Sequence, residues 1–178
     1  VFDTSVAAIA FDENAAAPLD LNTGKPLTMA KQRIDLLLAI LSQRKQRVVL
    51  PTPVVAEYLV KAGPDKEKRL DVITKNKMFK IAPFDLRAAI ECAAIEEGSA
   101  GKKLSPDETK AKVKFDRQII ATALAIGADT IYMGDTNLGS RAKSCGLTVV
   151  HTWELPLPPE DPQMKIKYDE EESARPDA

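Results

Sequence analysis

The chain has 178 residues, of which 44% are hydrophobic and 29% are charged, so we expect one globular domain without a membrane-spanning segment. Two cysteines and one histidine are too few for a zinc site or a disulfide framework. The formal charge of −1 is the sum of a basic part and an acidic part. Residues 1–153 contain 22 Lys/Arg and 18 Asp/Glu, whereas residues 154–178 contain 3 Lys/Arg and 8 Asp/Glu.

The first half of the sequence alternates short apolar runs with helical patterns. In chain order these predict a strand giving way to a helix or loop over residues 1–10, a turn-rich loop over 12–28, a helix over 29–43 and a strand over 47–50. Thr52 is a suitable N-cap and Pro53 a suitable first helical residue. We therefore predict a further helix that ends at Gly63.

The second half continues the alternation. It predicts a charged helix over residues 65–75, a strand over 78–82, a helix from its N-cap Asp85 to Glu97, a loop over 98–108, a strong helix over 113–126, a strand over 130–133, a short helix over 137–144 and a strand over 147–150. Strands that alternate with helices favour an α/β sandwich with a mainly parallel sheet. The proline-rich, acidic residues 154–178 cannot bury enough apolar surface to fold alone, so we expect a mobile tail.

No signal-peptide pattern precedes the predicted domain, although Val1 rather than Met in the first position leaves open whether N-terminal residues are missing. With nothing in the sequence to indicate secretion, both thiols are expected to stay reduced. The sequence therefore predicts a cytoplasmic protein.

Four acidic residues occupy positions at which an α/β sheet can hold a ligand. Asp3 belongs to the first strand, Glu57 lies among apolar helix residues, Asp116 is at the start of the strongest helix, and Asp135 follows a strand. Ligands of open α/β sheets bind beyond the carboxyl ends of the strands. Each acid also has an ordinary explanation: turn formation for Asp3 and Asp135, the helix dipole for Asp116 and a helix surface for Glu57.

Carboxylates that converge need a positive partner. Two of them ~4 Å apart repel by roughly 4 kcal/mol at an effective dielectric constant of ~20. Oxygen ligands alone suit Mg²⁺ or Mn²⁺, and these ions activate water and neutralise charge on a phosphodiester. The four acids together thus indicate metal-assisted phosphoryl chemistry.

Motifs in a fixed order run through residues 1–150: Asp3-Thr4-Ser5 after an apolar start, Glu57 on an early helix, and the stretch FDRQIIATALAIGADTIYMGD followed by the strand at 147–150. This order resembles the PIN-domain ribonucleases, which include the VapC-type toxins of bacterial toxin–antitoxin pairs. The resemblance implies a three-layer α/β/α sandwich with a mainly parallel central sheet, formed by residues 1–153.

The same resemblance implies a Mg²⁺- or Mn²⁺-dependent endoribonuclease. Its metal-binding and catalytic acids are, by motif position, Asp3, Glu57, Asp116 and Asp135. Thr4 and Ser5 match small polar positions that support the first acid, and Asn137 lies near a position at which many members carry a further acid. The implied partners are an RNA substrate, a cognate antitoxin and a second copy of the chain.

Basic residues near the acids are candidates for RNA binding. Residues 99–117 have a net charge of +3, and within them Lys112, Lys114 and Arg117 flank Asp116. Phosphate contacts of this kind weaken with salt. Only nine residues are aromatic, so we expect recognition of RNA shape and backbone rather than base stacking.

Two other functions remain open at this point. A non-catalytic PIN-like module could bind RNA or protein with acids that no longer support turnover. A phosphatase of the haloacid dehalogenase type is also suggested by VFDTS, because it uses a nucleophilic Asp at a strand end. That chemistry requires a second acid two residues later, and this chain has Ser5 there.

Overall fold

The computed structural model describes residues 1–99, 105–106 and 108–159. Most of the predicted acidic tail, residues 160–178, lies outside this part of the chain. The helices of the described residues are α1 Thr4–Phe11, α2 Ala30–Gln43, α3 Thr52–Val60, α4 Lys66–Lys75, α5 Leu86–Gly98, α6 Lys110–Ala125 and α7 Thr136–Ser144. The strands are β1 Leu19–Asp20, β2 Lys25–Pro26, β3 Val48–Pro51, β4 Phe79–Ala82, β5 Thr130–Met133 and β6 Thr148–His151.

Two parallel strand pairs form the centre of the fold: β3 pairs with β4, and β5 pairs with β6. The first residues of the chain join the pairs, because the Phe2 amide donates to the Val49 carbonyl at 3.1 Å. On the other side, the Tyr132 amide donates to the Val1 carbonyl at 2.8 Å and the Asp3 amide donates to the Tyr132 carbonyl at 3.0 Å. The structure is therefore α/β with parallel strand pairs, as the alternating pattern predicted.

The hydrophobic core lies between these strands and the helices packed on them. Its fully buried side chains include Phe2, Leu50 and Ile131 from extended segments, with Ile34 of α2 and Ile120 of α6. Full burial of one such side chain stabilises the fold by roughly 1.5–3 kcal/mol. Helices α3 and α6 both contact β3, and α1 contacts β5, so the helices that carry candidate acids are fixed to the sheet.

Several element boundaries differ from those predicted. The expected first strand is a single bridge from Phe2 to Tyr132, because α1 already begins at Thr4. The predicted loop over 12–28 contains the short antiparallel hairpin of β1 and β2. Thr52 is the first residue of α3 rather than its N-cap, and its hydroxyl accepts a hydrogen bond from the Phe84 amide at 2.9 Å.

Helix α6 begins three residues earlier than predicted. The Thr109 hydroxyl caps it by accepting the Lys112 amide at 3.1 Å. Asp116 therefore lies in the second turn of α6, not at its start, and an explanation by the helix dipole loses force because that effect is confined to the first turn. The helix ends before Gly127, whose φ of +67° is a conformation that glycine adopts readily.

The chain stays packed against the domain just beyond β6. A short 3-10 turn, Thr152–Glu154, leads to Leu155, which is buried. The Arg33 guanidinium donates to the Leu155 carbonyl, so the first residues of the predicted tail contact α2. In the ranges that the structure describes, no helix combines the length and apolarity needed to cross a membrane.

Candidate functional site

The four acids predicted as metal ligands line one cleft of about 390 Å³. Asp3 and Asp135 follow adjacent extended segments and cap α1 and α7, respectively. Glu57 comes from α3 and Asp116 from α6. Thr4 and Ser5 line the same cleft, so the structure brings together six residues from four helices or their N-caps.

Asp3 is the most enclosed of the four carboxylates, at 3% exposure. It accepts hydrogen bonds from the Val6 amide at 2.8 Å, from the Ser5 hydroxyl at 2.9 and 3.0 Å, and from the Gly134 amide at 3.2 Å. A Cβ atom on Gly134 would lie 2.8 Å from the Ser5 hydroxyl, so this approach needs glycine. Burial raises the pKa of Asp3 to about 6, although these hydrogen bonds oppose the increase.

The raised pKa of Asp3 predicts how stability changes with pH. Between an unfolded value of 3.8 and a folded value of about 6, the folded chain binds more protons than the unfolded chain. The free energy of unfolding in EDTA should therefore fall as pH rises through this window, by up to about 3 kcal/mol for this group. Denaturant unfolding of the wild type and of Asp3→Asn at several pH values measures this decrease, and the free energy of unfolding of the variant should depend less on pH. Parallel profiles would contradict the burial of this charge.

Asp116 forms an ion pair with Arg141 of α7. Its Oδ2 atom lies 2.9 Å from Nη1 of Arg141, and the other Arg141 nitrogen pairs with Glu108. Burial, followed by repulsion from Asp135, raises the pKa of Asp116 to about 6, and Arg141 and Lys112 act in the opposite direction. Asp116 and Asp135 are therefore close enough to repel each other.

Asp135 is instead kept ionised by its neighbours. Burial acts to raise its pKa, but the Lys112 ammonium and the amides of Leu138 and Asn137 outweigh this and lower the pKa. Lys112 forms an ion pair with the carboxylate, and the two amides donate to its Oδ1 at 3.0 and 2.8 Å. The pKa of Lys112 is raised, first by its hydrogen bond to Asp135.

Glu57 lies at the more open side of the cleft, with a side chain 41% exposed. The Thr4 hydroxyl donates to its Oε2 at 2.6 Å, and the Lys61 ammonium lies 3.2 Å from its Oε1. Lys61 follows Glu57 by four residues in the sequence, and this spacing places the two side chains on one helix face. The pair was therefore recognisable from the sequence.

The donor chemistry of the cleft fits Mg²⁺ or Mn²⁺, because four carboxylates and two hydroxyls supply oxygen only. Across the described residues, no three His, Cys, Asp or Glu side chains converge closely enough to form a metal site as they stand. Three of the carboxylates contact cationic side chains of the chain itself: Lys61, Lys112 and Arg141. A metal ion would compete with these cations for the carboxylates.

Three of the remaining predicted residues, Asn137, Lys114 and Arg117, line grooves other than the acidic cleft. Asn137 lines a groove between α5, α6 and α7, together with Arg117. Lys114 and Arg117 line another groove, and Arg117 pairs with Glu96. Of the three predicted RNA-binding residues, Lys112 lines the acidic cleft. No sequence pattern pointed to Arg141 and Glu108, because their contact depends on the packing of α7 against the start of α6.

No family model and no curated protein matches the sequence. Among solved structures, a chain of VapBC2 from Rickettsia felis bound to a DNA fragment from their promoter matches with a TM-score of 0.57. The two chains are 13% identical, and the match covers 84% of this chain and 96% of that chain. At this identity the likeness is one of fold, so this protein shares its fold with a component of the VapBC2 structure.

Proposed function

We propose that this protein is a PIN-like, Mg²⁺- or Mn²⁺-dependent endoribonuclease with the three-layer α/β/α arrangement of that family. The observation that carries the proposal is the meeting of Asp3, Glu57, Asp116 and Asp135 in one cleft. These acids come from separate parts of the sequence, and two are buried with a pKa of about 6. Such an arrangement costs stability and is typical of a functional site.

The residues of the cleft have different proposed roles. The four acids would hold the metal, which when bound activates water and neutralises charge on the phosphodiester. Ser5 fixes Asp3 through its hydroxyl, and Thr4 does the same for Glu57. Lys112 and Lys61 place positive charge at the cleft, where it can attract an RNA phosphate.

Metal removal tests this proposal. Purified protein should cleave RNA in Mg²⁺ or Mn²⁺, and EDTA should abolish the cleavage, because activation of water and neutralisation of charge on the phosphodiester both depend on the ion. A gel assay with single-stranded and structured RNA measures the result, and restored cleavage after excess Mn²⁺ controls for damage by the chelator. Cleavage that persists in EDTA would contradict a metal-dependent mechanism.

One observation favours the non-catalytic PIN-like module as a second candidate. The ion pairs Arg141–Asp116 and Lys112–Asp135 already neutralise two of the acids, and a binding module needs no metal at these positions. RNA binding without cleavage of any RNA in either metal would support this candidate.

We also propose that the nuclease is the toxin of a toxin–antitoxin pair in the cytoplasm, with an antitoxin partner and a homodimeric state. The fold match to a chain of VapBC2 supports this. Induced expression in a bacterial host should arrest growth, and co-expression of the neighbouring open reading frame should restore it. Normal growth with soluble, active nuclease present would exclude the toxin role.

A further inference from the structure

The acidic cleft also has an apolar surface. Ala111, Phe115, Ile119 and Leu138 line it beside the carboxylates. Ile119 and Leu138 are buried at 3% exposure, whereas Phe115 is 42% exposed. The large aromatic ring thus remains open to solvent within the cleft instead of packing in the core.

Packing does not account for the exposure of Phe115. Helix α6 packs into the hydrophobic core through Ile119, Ile120 and Ala123, whereas Phe115, one turn before Ile119, is exposed. Phe115 is among the exposed large hydrophobic residues of the protein, and it lines the same cleft as Asp116. Ligand-binding sites typically combine apolar or aromatic side chains with a few polar groups, and Phe115 lies in a cleft of this kind.

Positive charge lies on the same surface. Lys112 precedes Phe115 by three residues, so the two side chains are neighbours on α6. Lys112 is 40% exposed and Lys61 is 61% exposed, and each contacts a cleft carboxylate. An ammonium has three donors, so each lysine can contact a phosphate oxygen and a carboxylate together.

We propose that Phe115 is a stacking platform for an unpaired base of the RNA substrate. This proposal rests on the ribonuclease function proposed above and adds a base-binding residue to its site. A base stacked on Phe115 places its adjoining phosphates near the carboxylates and the two lysines. In a duplex, each base is stacked between its neighbours and does not offer its face. The scarcity of aromatic residues led to an expectation of recognition without base stacking, and this proposal differs from that expectation at one ring.

The experiment compares Phe115→Ala with Ile126→Ala, since Ile126 lies just after the same helix, is 41% exposed and lines a different groove. Fluorescence anisotropy in EDTA measures binding of a labelled single-stranded RNA, of the same strand with abasic positions and of its duplex. Phe115→Ala should weaken binding of the single strand by about tenfold, since base–aromatic stacking contributes roughly 1–3 kcal/mol. Binding of the abasic strand should not change, and Phe115→Trp should retain the affinity of the wild type.

The outcomes separate this proposal from the nuclease proposal. If the wild type binds and cleaves single-stranded RNA but Phe115→Ala binds it equally well, the stacking role is wrong and the nuclease function stands. An equal loss for the abasic strand, or a similar loss in Ile126→Ala, would also overturn the stacking role. If the wild type neither binds RNA in EDTA nor cleaves it in Mg²⁺ or Mn²⁺, both proposals fail. If Phe115→Ala weakens only the binding of a protein partner, Phe115 belongs to a protein interface instead.

Discussion

The Asp116→Asn variant is expected to cleave RNA at least about 100-fold more slowly than the wild type in Mg²⁺ or Mn²⁺. Asp116 is buried in the cleft, close to Asp135 and in contact with Arg141. An amide keeps the shape of the side chain but removes the negative charge, and a 100-fold loss corresponds to about 2.7 kcal/mol of transition-state stabilisation. Initial rates at saturating metal and RNA, with unfolding measured in parallel, check the effect.

The matched control for this variant is Asp129→Asn. Asp129 is exposed, directly precedes β5, and lies in a groove that none of the four acids lines. Asp129 and Asp135 lie at opposite ends of β5. Asp129→Asn removes one negative charge, as Asp116→Asn does, so the two variants have the same effect on the overall charge of the protein. Equal activity of Asp116→Asn and the wild type would exclude Asp116 from the mechanism. An equal loss in Asp129→Asn would show an effect of overall charge.

The sequence could predict the positions of Asp3 and Asp135 because strand pattern and chain order were enough. Each follows an extended segment, and the carboxyl ends of parallel strands lie at one edge. The hydrogen bond from the Asp3 amide to the Tyr132 carbonyl, at 3.0 Å, fixes these segments side by side. Glu57 lies on a different element and is linked to the segment of Asp3 by Thr4, whose hydroxyl donates to the Glu57 carboxylate at 2.6 Å. That contact between residues 53 apart in the sequence depends on tertiary packing.

The choice of RNA-binding residues shows where proximity in sequence misleads. Successive residues of an α-helix are rotated by about 100°. Lys112, four residues before Asp116, therefore shares its face of α6, whereas Lys114, two residues before it, lies on a different face. The structure places Lys112 in the cleft and Lys114 in another groove. Helical geometry was thus sufficient to choose between these lysines, but it could not reveal Arg141, because α7 brings that side chain from a separate element.

Arg141→Met is expected to lower the free energy of unfolding by about 3 kcal/mol at pH 8. Arg141 bridges Asp116 and Glu108, whose side chains are 9% and 2% exposed. Removing one member of a buried ion pair leaves an uncompensated charge at a cost of about 3–5 kcal/mol, and the lower value applies because Arg141 is 23% exposed. Methionine retains part of the side-chain volume. Denaturant unfolding in EDTA measures the loss.

The pH dependence and a double-mutant cycle identify the cause of that loss. Without Arg141, which lowers the pKa of Asp116, the carboxylate takes up a proton more readily, so the deficit should shrink as pH falls to 5. In the double variant Arg141→Met/Asp116→Asn, the loss of unfolding free energy should be smaller than the sum of the losses in the two single variants, because residue 116 no longer carries an unpaired charge. Arg87→Met, at an exposed position on α5, should stay within about 0.5 kcal/mol of the wild type. Strict additivity, or a deficit independent of pH, would mean that Arg141 contributes packing rather than charge to the cleft.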